Sequence, residues 1–471
     1  MSQNILVEEL TENPGGGEYE REPVPASRWS DFKSFAAIYA GEHAAGTEFM
    51  IGPLFLTAGV SAFDLLVGLL LGNLLAVLSW RFLTAEIATK NRLTLYYQLE
   101  KICGKKLVIG YNLANGILFC FLAGAMVTVN ATAVGVPFDM EMPRLNDTMP
   151  SGPTWIIIVL VVGMVISIIA ARGYQTVTNA SKWMSPLIIL AFIACGIIAL
   201  NQMEIDTFAE FWNVWGKGRE PFPGQIKFTF WHVLIWSWFT NAAHHIGMSD
   251  LTILRFAKTA RTGWASATGM YIGHYLAWIA GALLYAVYLK SAEAQAFLAL
   301  GEAPPVAPGP LAYNALGVIG IIAVVFAGWT TANPVIYRAG LAFQTIMPKV
   351  STFWATFIAG ILATIAGLFP AFAMQLLDFV AIYGFLLAPF GAIIVFEHFF
   401  HRKAGIIKNY AEKAKVSFNL AVFIAWGFSI GLFWFISVHF EIFLSYVILP
   451  AWLLCGFLYL YLSKIFQKKI V

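Results

Sequence analysis

The sequence predicts an all-α integral membrane protein: twelve transmembrane helices in a five-plus-five inverted repeat, discontinuous helices 1 and 6, and two C-terminal helices. Three observations carry that expectation. Hydrophobic residues make up 59% of the 471 positions and charged residues 12%, against about a half and about a quarter in soluble domains. A soluble fold with a mean hydropathy of +0.73 would have to hide more apolar surface than one core provides. Second, twelve apolar runs near the roughly 20 residues that span a bilayer start around Phe35, Ala62, Leu107, Trp155, Trp183, Ile226, Thr268, Tyr313, Phe353, Leu376, Val416 and Phe443. Third, the first and sixth runs are interrupted by glycines and polar residues. Soluble enzymes, disordered scaffolds and nucleic-acid binders are thereby excluded, and a net charge of +3 advertises no acidic partner.

The chain opens on an acidic stretch with Glu8, Glu9, Glu12, Glu18, Glu20 and Glu22 around Gly15-Gly16-Gly17. That composition predicts a disordered cytoplasmic tail over 1–32, with no cleavable leader. Helices 1–5 then fill 33–202, helices 6–10 fill 203–400, and helices 11 and 12 with a short tail fill 401–471. Cys103, Cys120, Cys195 and Cys455 each lie in or beside an apolar run, so no disulfide framework is expected.

An even number of spans puts both termini on one side. With the N-terminus inside, inner segments collect Arg21, Arg28, Lys33, Lys90, Arg92, Arg255, Lys258, Arg338, Lys349 and the basic run from Arg402 to Lys415. Outer segments hold only Arg144, Lys217, Arg219, Lys227 and Lys290. The positive-inside rule admits that orientation alone: a multi-pass protein of the plasma (inner) membrane with both termini cytoplasmic. Asn146-Asp147-Thr148 is a glycosylation sequon in an outer loop, of consequence in a eukaryotic host.

Helix 1 carries Gly41, Glu42, His43, Gly46, Thr47 and Glu48 in mid-span, and helix 6 carries Thr240, Asn241, His244, His245, Gly247 and Asp250. Polar groups inside a membrane are costly and mark function. Interruptions at corresponding places in two halves point to an inverted-repeat secondary transporter, whose unwound backbone frees carbonyls for a cation. The plainer alternative is close packing at the glycines, with the polar residues bonding one another. Helix 8 adds Thr330-Thr331 ahead of Asn333-Pro334. Such hydroxyls suit a small hard cation, or else bond back to their own helix. An ionised Glu42 is unfavourable there unless paired. Three roles fit it: pairing with a cationic or amine-bearing substrate, binding the coupling proton, or bonding within the protein. Asp64 complements the dipole of helix 2, and Arg81 and Glu86 pair or snorkel at the inner surface.

Three stretches together resemble the nucleobase–cation symporter family, which has the amino acid–polyamine–cation superfamily fold and includes hydantoin, cytosine, uracil, purine and allantoin permeases. They are Gly72-Asn73 leading through Ala88-Thr89-Lys90-Asn91 to Leu95 and Gly104; Ser249-Asp250 with Arg255-Phe256-Ala257-Lys258, two residues more widely spaced than usual; and Trp329-Thr330-Thr331-Ala332-Asn333-Pro334 followed by Met347-Pro348-Lys349-Val350. The likeness runs from about Phe35 to Phe400. It implies alternating access around a midplane site, with sodium held by the carbonyls of Gly41, Ala44 and Ala327 and the hydroxyls of Thr330 and Thr331. Other family members use protons.

The resemblance also implies a flat heterocycle held between rings of helices 3 and 6 and bonded by amides. Those positions hold Cys120, Phe121, Trp238, Phe239, Thr240 and Asn241, with Tyr337 at an amide position of helix 8, and Glu42 and His43 complete the expected pocket. Ring shelf and amide grip are both altered, so the substrate need not be a standard nucleobase. The expected activity is sodium-coupled symport of a small nitrogen heterocycle: a nucleobase, hydantoin, allantoin or related vitamin-like compound. The alternatives are an amino acid or amine substrate, and proton coupling with Glu42 as the proton site. No enzyme is expected, since His244-His245 lacks the i, i+4 spacing of a helical metal pair and no nucleophile elbow appears. Neither a cofactor nor a nucleic-acid partner is expected; the surroundings are lipid and the unit is a monomer.

Overall fold

The computed structural model describes residues 18–138, 140, 142–143, 147–371 and 375–467. Residues 1–17 of the acidic tail lie outside the described residues, as do Arg144 and Asn146 of the outer loop. Among those described, the chain is helical, with a single isolated bridge between Ser30 and Ala257. Helix 1 is two pieces, α1 (Phe32–His43) and α2 (Glu48–Thr57). Asp31 caps α1 by accepting from the Ser34 amide at 3.0 Å, and Ala44 ends it at φ −99°, ψ 57°. Next come α3 (Ala62–Asn91, with a π-helical turn at Trp80–Thr84), α4 (Leu95–Cys103), α5 (Lys105–Gly135), α6 (Pro153–Ala171), α7 (Tyr174–Gln202) and the short α8 (Phe208–Trp215).

Helix 6 is likewise broken: α9 (Phe230–Phe239) gives way to hydrogen-bonded turns that end in the single turn α10 (Leu251–Leu254). The remainder are α11 (Ala260–Tyr288), α12 (Ala292–Ala299), α13 (Pro308–Leu316), α14 (Val318–Ile346), α15 (Thr352–Gly367), α16 (Leu376–Ala404), α17 (Tyr410–Lys413), α18 (Leu420–His439) and α19 (Leu444–Phe466). Nine helices among the described residues are long and apolar enough to cross a membrane, namely α3, α5, α6, α7, α11, α14, α16, α18 and α19. The broken helices 1 and 6 and the shorter α15 stand at the other expected spans. Three starts differ from expectation, the seventh span beginning at Ala260 rather than near Thr268. The fifth span begins at Tyr174 rather than near Trp183, because Gly173 at φ 88° turns the chain out of α6 and the polar Thr178 and Ser181 are buried. The eighth begins at Val318, because Gly317 at φ 58° separates it from α13.

Helix pairings exchange when the two halves are swapped. Half of helix 1, α2, packs on α11 of helix 7, and α9 of helix 6 packs on α3 of helix 2. Both contacts rest on a glycine, since small residues let membrane helices approach closely. A Cβ on Gly52 would collide with the Trp278 carbonyl, and one on Gly72 with the Leu234 carbonyl. The other half, α1, lies on α7, where the Ser185 hydroxyl donates to the Ala37 carbonyl at 3.0 Å.

Residues 18–31 lie across one end of the bundle. The buried Arg255 donates to the Tyr19 carbonyl at 2.6 Å and the Glu18 carbonyl at 2.5 Å. Thr94 donates to the Glu20 carbonyl at 3.1 Å, Arg21 pairs with Glu100 at 3.1 Å, and Ser30 donates its amide to Phe256 at 2.7 Å. This strap therefore touches both halves. The four cysteines are free and buried. Glu86 pairs with Lys90 at 2.7 Å, while Arg81 lies over the Phe82 ring at 4.9 Å.

Candidate functional site

The break in helix 1 faces the middle of α14, where two adjacent threonines point at it. Thr330 Oγ1 lies 2.7 Å from the Gly41 carbonyl and 3.1 Å from that of Ala327. Thr331 Oγ1 lies 3.0 Å from the Glu42 carbonyl, 2.9 Å from Ala327 and 3.4 Å from Gly41. Gly41, Ala327, Thr330 and Thr331 thus come together, with the Glu42 carbonyl as a neighbour that motif matching did not single out. Ala44 closes α1 through its amide, which donates to Ala40 at 2.9 Å. All five clustered oxygens are neutral, the donor set that small hard cations accept. Both hydroxyls also reach back to carbonyls of α14, so each of the two roles foreseen for them has its geometry.

Beside this cluster lies a buried charge network. Arg338 donates to both oxygens of Glu42, at 2.5 and 3.1 Å, and to Asp250 Oδ1 at 2.6 Å. Its side chain is 1% exposed and those of Glu42 and Asp250 are 6% and 1%, so the fork-shaped pairing is what makes three buried charges tolerable. The second oxygen of Asp250 accepts from Tyr39 at 2.9 Å and from Trp80 Nε1 at 2.6 Å. The π-helical turn of α3 brings Trp80 inward, a distortion often found at functional sites. The charge count along the sequence places Arg338 with the inner loops, and the structure places it here instead. An arginine near the end of an apolar run reads as a flanking charge until packing shows what surrounds it.

Next to the network is a cavity of about 60 Å³, lined by Glu42, His43, Ala45, Thr47, Glu48, Ile51, Leu122, Met126, Thr240, Asn241, His244, His274, Thr331, Val335, Val380 and Tyr383. Of the sequence-selected pocket residues, Glu42, His43, Thr240 and Asn241 line it. His43 bonds the Tyr39 carbonyl through Nδ1 at 2.9 Å and meets the His274 ring edge-on at 4.9 Å. His274 stacks on Trp278 at 4.2 Å, and the Trp278 N–H donates to Glu48.

The other selected residues lie elsewhere. The Cys120 thiol faces the Ala359 carbonyl at 3.4 Å, and Phe121 stacks on Phe379 at 5.7 Å. Trp238 reaches the Ser79 hydroxyl at 3.4 Å and stacks on Phe239 at 4.4 Å. Tyr337 faces the strap: its hydroxyl donates to Glu18 at 3.0 Å and accepts from Arg255 at 3.3 Å. On α5 the lining residues are Leu122 and Met126. His274 escapes a reading of the sequence because a lone histidine in an apolar run carries no motif.

No protein-family model and no curated protein matches the sequence. Solved structures do. The chain is similar to Mhp1, a nucleobase–cation-symport-1 family transporter, in a closed conformation with bromovinylhydantoin bound: TM-score 0.71, 15% identity, over 96% of this chain and 95% of that one. Against the inward-facing conformation of Mhp1 the values are 0.69 and 14%, over 96% and 94%. A Na+-coupled sialic acid symporter in a substrate-bound outward-open state gives 0.61 and 13%, over 93% and 91%. The chain therefore has the fold of these transporters and is a multi-pass membrane protein. The all-α membrane fold expected from the sequence, with its broken helices 1 and 6, is the one found.

Proposed function

We propose that the protein is a secondary active symporter, driven by sodium, that carries a small nitrogen heterocycle by alternating access, with both termini in the cytoplasm. The observation behind this reading is the cluster of neutral oxygens from Gly41, Glu42, Ala327, Thr330 and Thr331 at the helix break. It adjoins a cavity in which Thr240 and Asn241 offer polar groups among apolar walls. Two further facts support it: one similar structure is a Na+-coupled symporter, and the other is of the nucleobase–cation-symport-1 family with a hydantoin bound.

Thr331 touches the cation cluster and lines the cavity, so one bound species changes the surroundings of the other. Linkage then requires that sodium raise substrate affinity by the factor by which substrate raises sodium affinity. Of the three roles for Glu42, its pairing with Arg338 favours bonding within the protein over proton carriage or substrate recognition. In this reading the transport unit is a monomer.

The test is thermal unfolding of the purified protein with a panel of heterocycles, amines and amino acids, in sodium or potassium. A ligand stabilises the state it binds by mass action. A heterocycle is expected to raise the melting temperature in sodium and much less in potassium. Equal effects in both salts would remove sodium from the proposal.

A further inference from the structure

Glu48 begins α2 at the edge of the cavity and is 3% exposed. Its hydrogen-bond donors are the neutral Trp278 N–H and the Ala45 backbone amide. No cationic side chain pairs with it among the described residues. Arg338, the guanidinium beside the cavity among the described residues, is shared between Glu42 and Asp250, so that network already carries one negative charge in excess. A sodium ion at the oxygen cluster offsets that excess and leaves Glu48 uncompensated. The first turn of a helix, with its exposed N–H groups, supports a carboxylate there, but an unpaired charge at this depth is strongly unfavourable.

Among the described residues, the walls opposite Glu48 hold no lysine or arginine side chain, and they present imidazoles. His244 is 7% exposed and neither ring nitrogen makes a hydrogen bond; its Nε2 stands 3.9 Å from Glu42 Oε1. His274 is 4% exposed, its Nδ1 has no partner, and its Nε2 lies 3.4 Å from the Asn241 amide. His43 is committed to Tyr39. A carboxylate across a small, largely apolar cavity from neutral imidazoles is the complement of a compact ring that carries a positive charge.

We propose that Glu48 is the counter-charge for a positively charged nitrogen on the substrate, so that the transported heterocycle carries a protonated amine or an amidinium group. This rests on the symporter reading above and narrows its substrate class. Glu42, which the sequence offers as an ion partner for the substrate, is replaced in that role by Glu48.

The experiment compares two probe sets by thermal unfolding of the full chain in sodium: benzamidine and 4-aminopyridine, which are cationic at neutral pH, and the neutral rings hydantoin and uracil. Cationic probes are expected to stabilise the wild type, and Glu48→Gln is expected to bind them roughly thirtyfold or more weakly, the loss typical of removing one partner of a buried charge pair. Stabilisation by the neutral rings alone, or equal binding of cationic probes to wild type and Glu48→Gln, overturns the role of Glu48 and leaves the symporter reading standing. Failure of both sets in sodium overturns the heterocycle reading itself. The wild-type comparison discriminates the probe sets even where Glu48→Gln does not fold.

Discussion

Arg338 and Glu42 form a two-pronged ion pair across the bundle, Nη1 to Oε1 at 2.5 Å and Nη2 to Oε2 at 3.1 Å. The pair ties α14 to the broken end of α1, one residue from the Gly41 carbonyl that both threonines contact. A single side chain thus fixes where that carbonyl stands. Stability and cation binding are joined at this point.

Removing the guanidinium strands two buried carboxylates. Arg338→Gln is expected to cost roughly 3–5 kcal/mol, and adding Glu42→Gln is expected to recover part of that loss. A double-mutant cycle of thermal unfolding in detergent measures it. Strictly additive losses would show that the two residues are not coupled.

Hydrogen bonds to charged groups contribute about 1.5–3 kcal/mol, and cation contacts from a threonine oxygen belong to the same range. Thr330→Ala and Thr331→Ala are each expected to raise the sodium concentration needed for half-maximal stabilisation by roughly tenfold or more, with Thr331→Ser close to wild type. An unchanged sodium midpoint in both alanine variants counts against the cluster as the ion site.

The cavity separates residues that touch a ligand from those that do not. Asn241→Ala is expected to weaken stabilisation by a binding heterocycle. Cys120→Ala and Phe121→Leu, outside the lining, are expected to leave ligand affinity within about twofold. Ligand titrations of the melting temperature read all three, and a large effect from Cys120→Ala would relocate the pocket.

The strap supplies a pH dependence. Burial pushes the Glu18 carboxyl above the usual carboxylate range, with the Arg255 guanidinium and the Tyr337 hydroxyl pulling the other way. The docked strap therefore prefers the neutral acid. Its contribution is fullest below the ordinary carboxylate pKa of about 4.3 and is lost as pH rises through the raised value. A fluorophore on Ser27→Cys, in a protein whose native cysteines are buried, is expected to be less mobile in acid than at neutral pH. Glu18→Gln is expected to abolish that difference, and a flat pH profile in the wild type would dismiss it.

Much of the architecture is legible in the sequence because membrane helices penalise polar residues so heavily. Gly41 and Thr47 inside one apolar run, and Thr240 and Asn241 inside another, announce two breaks, and the breaks are there. Thr330 and Thr331 are conspicuous for the same reason. Arg338 is not, because a charge near the end of an apolar run is what a flanking loop also looks like. Arg255 and the strap escape for a related reason. Glu18, Glu20 and Arg21 form a polar stretch with no periodicity, and only their contacts with Arg255, Thr94 and Glu100 give it a place. Cys120, Phe121 and Tyr337 rest on motif alignment alone, which carries position along a helix but not which way each side chain faces.

The close approach at Gly52 has a mechanical side. Half of helix 1 is pressed backbone to backbone against α11, and the other half is fastened to α7 through Ser185 and Ala37. Yet α11 runs along both pieces, its Gly273 pressed against the His43 backbone on one side of the break and its Trp278 carbonyl against Gly52 on the other, with only Ala44 to Thr47 between them. Any turn of one piece against α11 while the other keeps its seat falls on those four residues, as torque does at a coupling between two shafts, and Glu42 and Glu48 stand on either side of it.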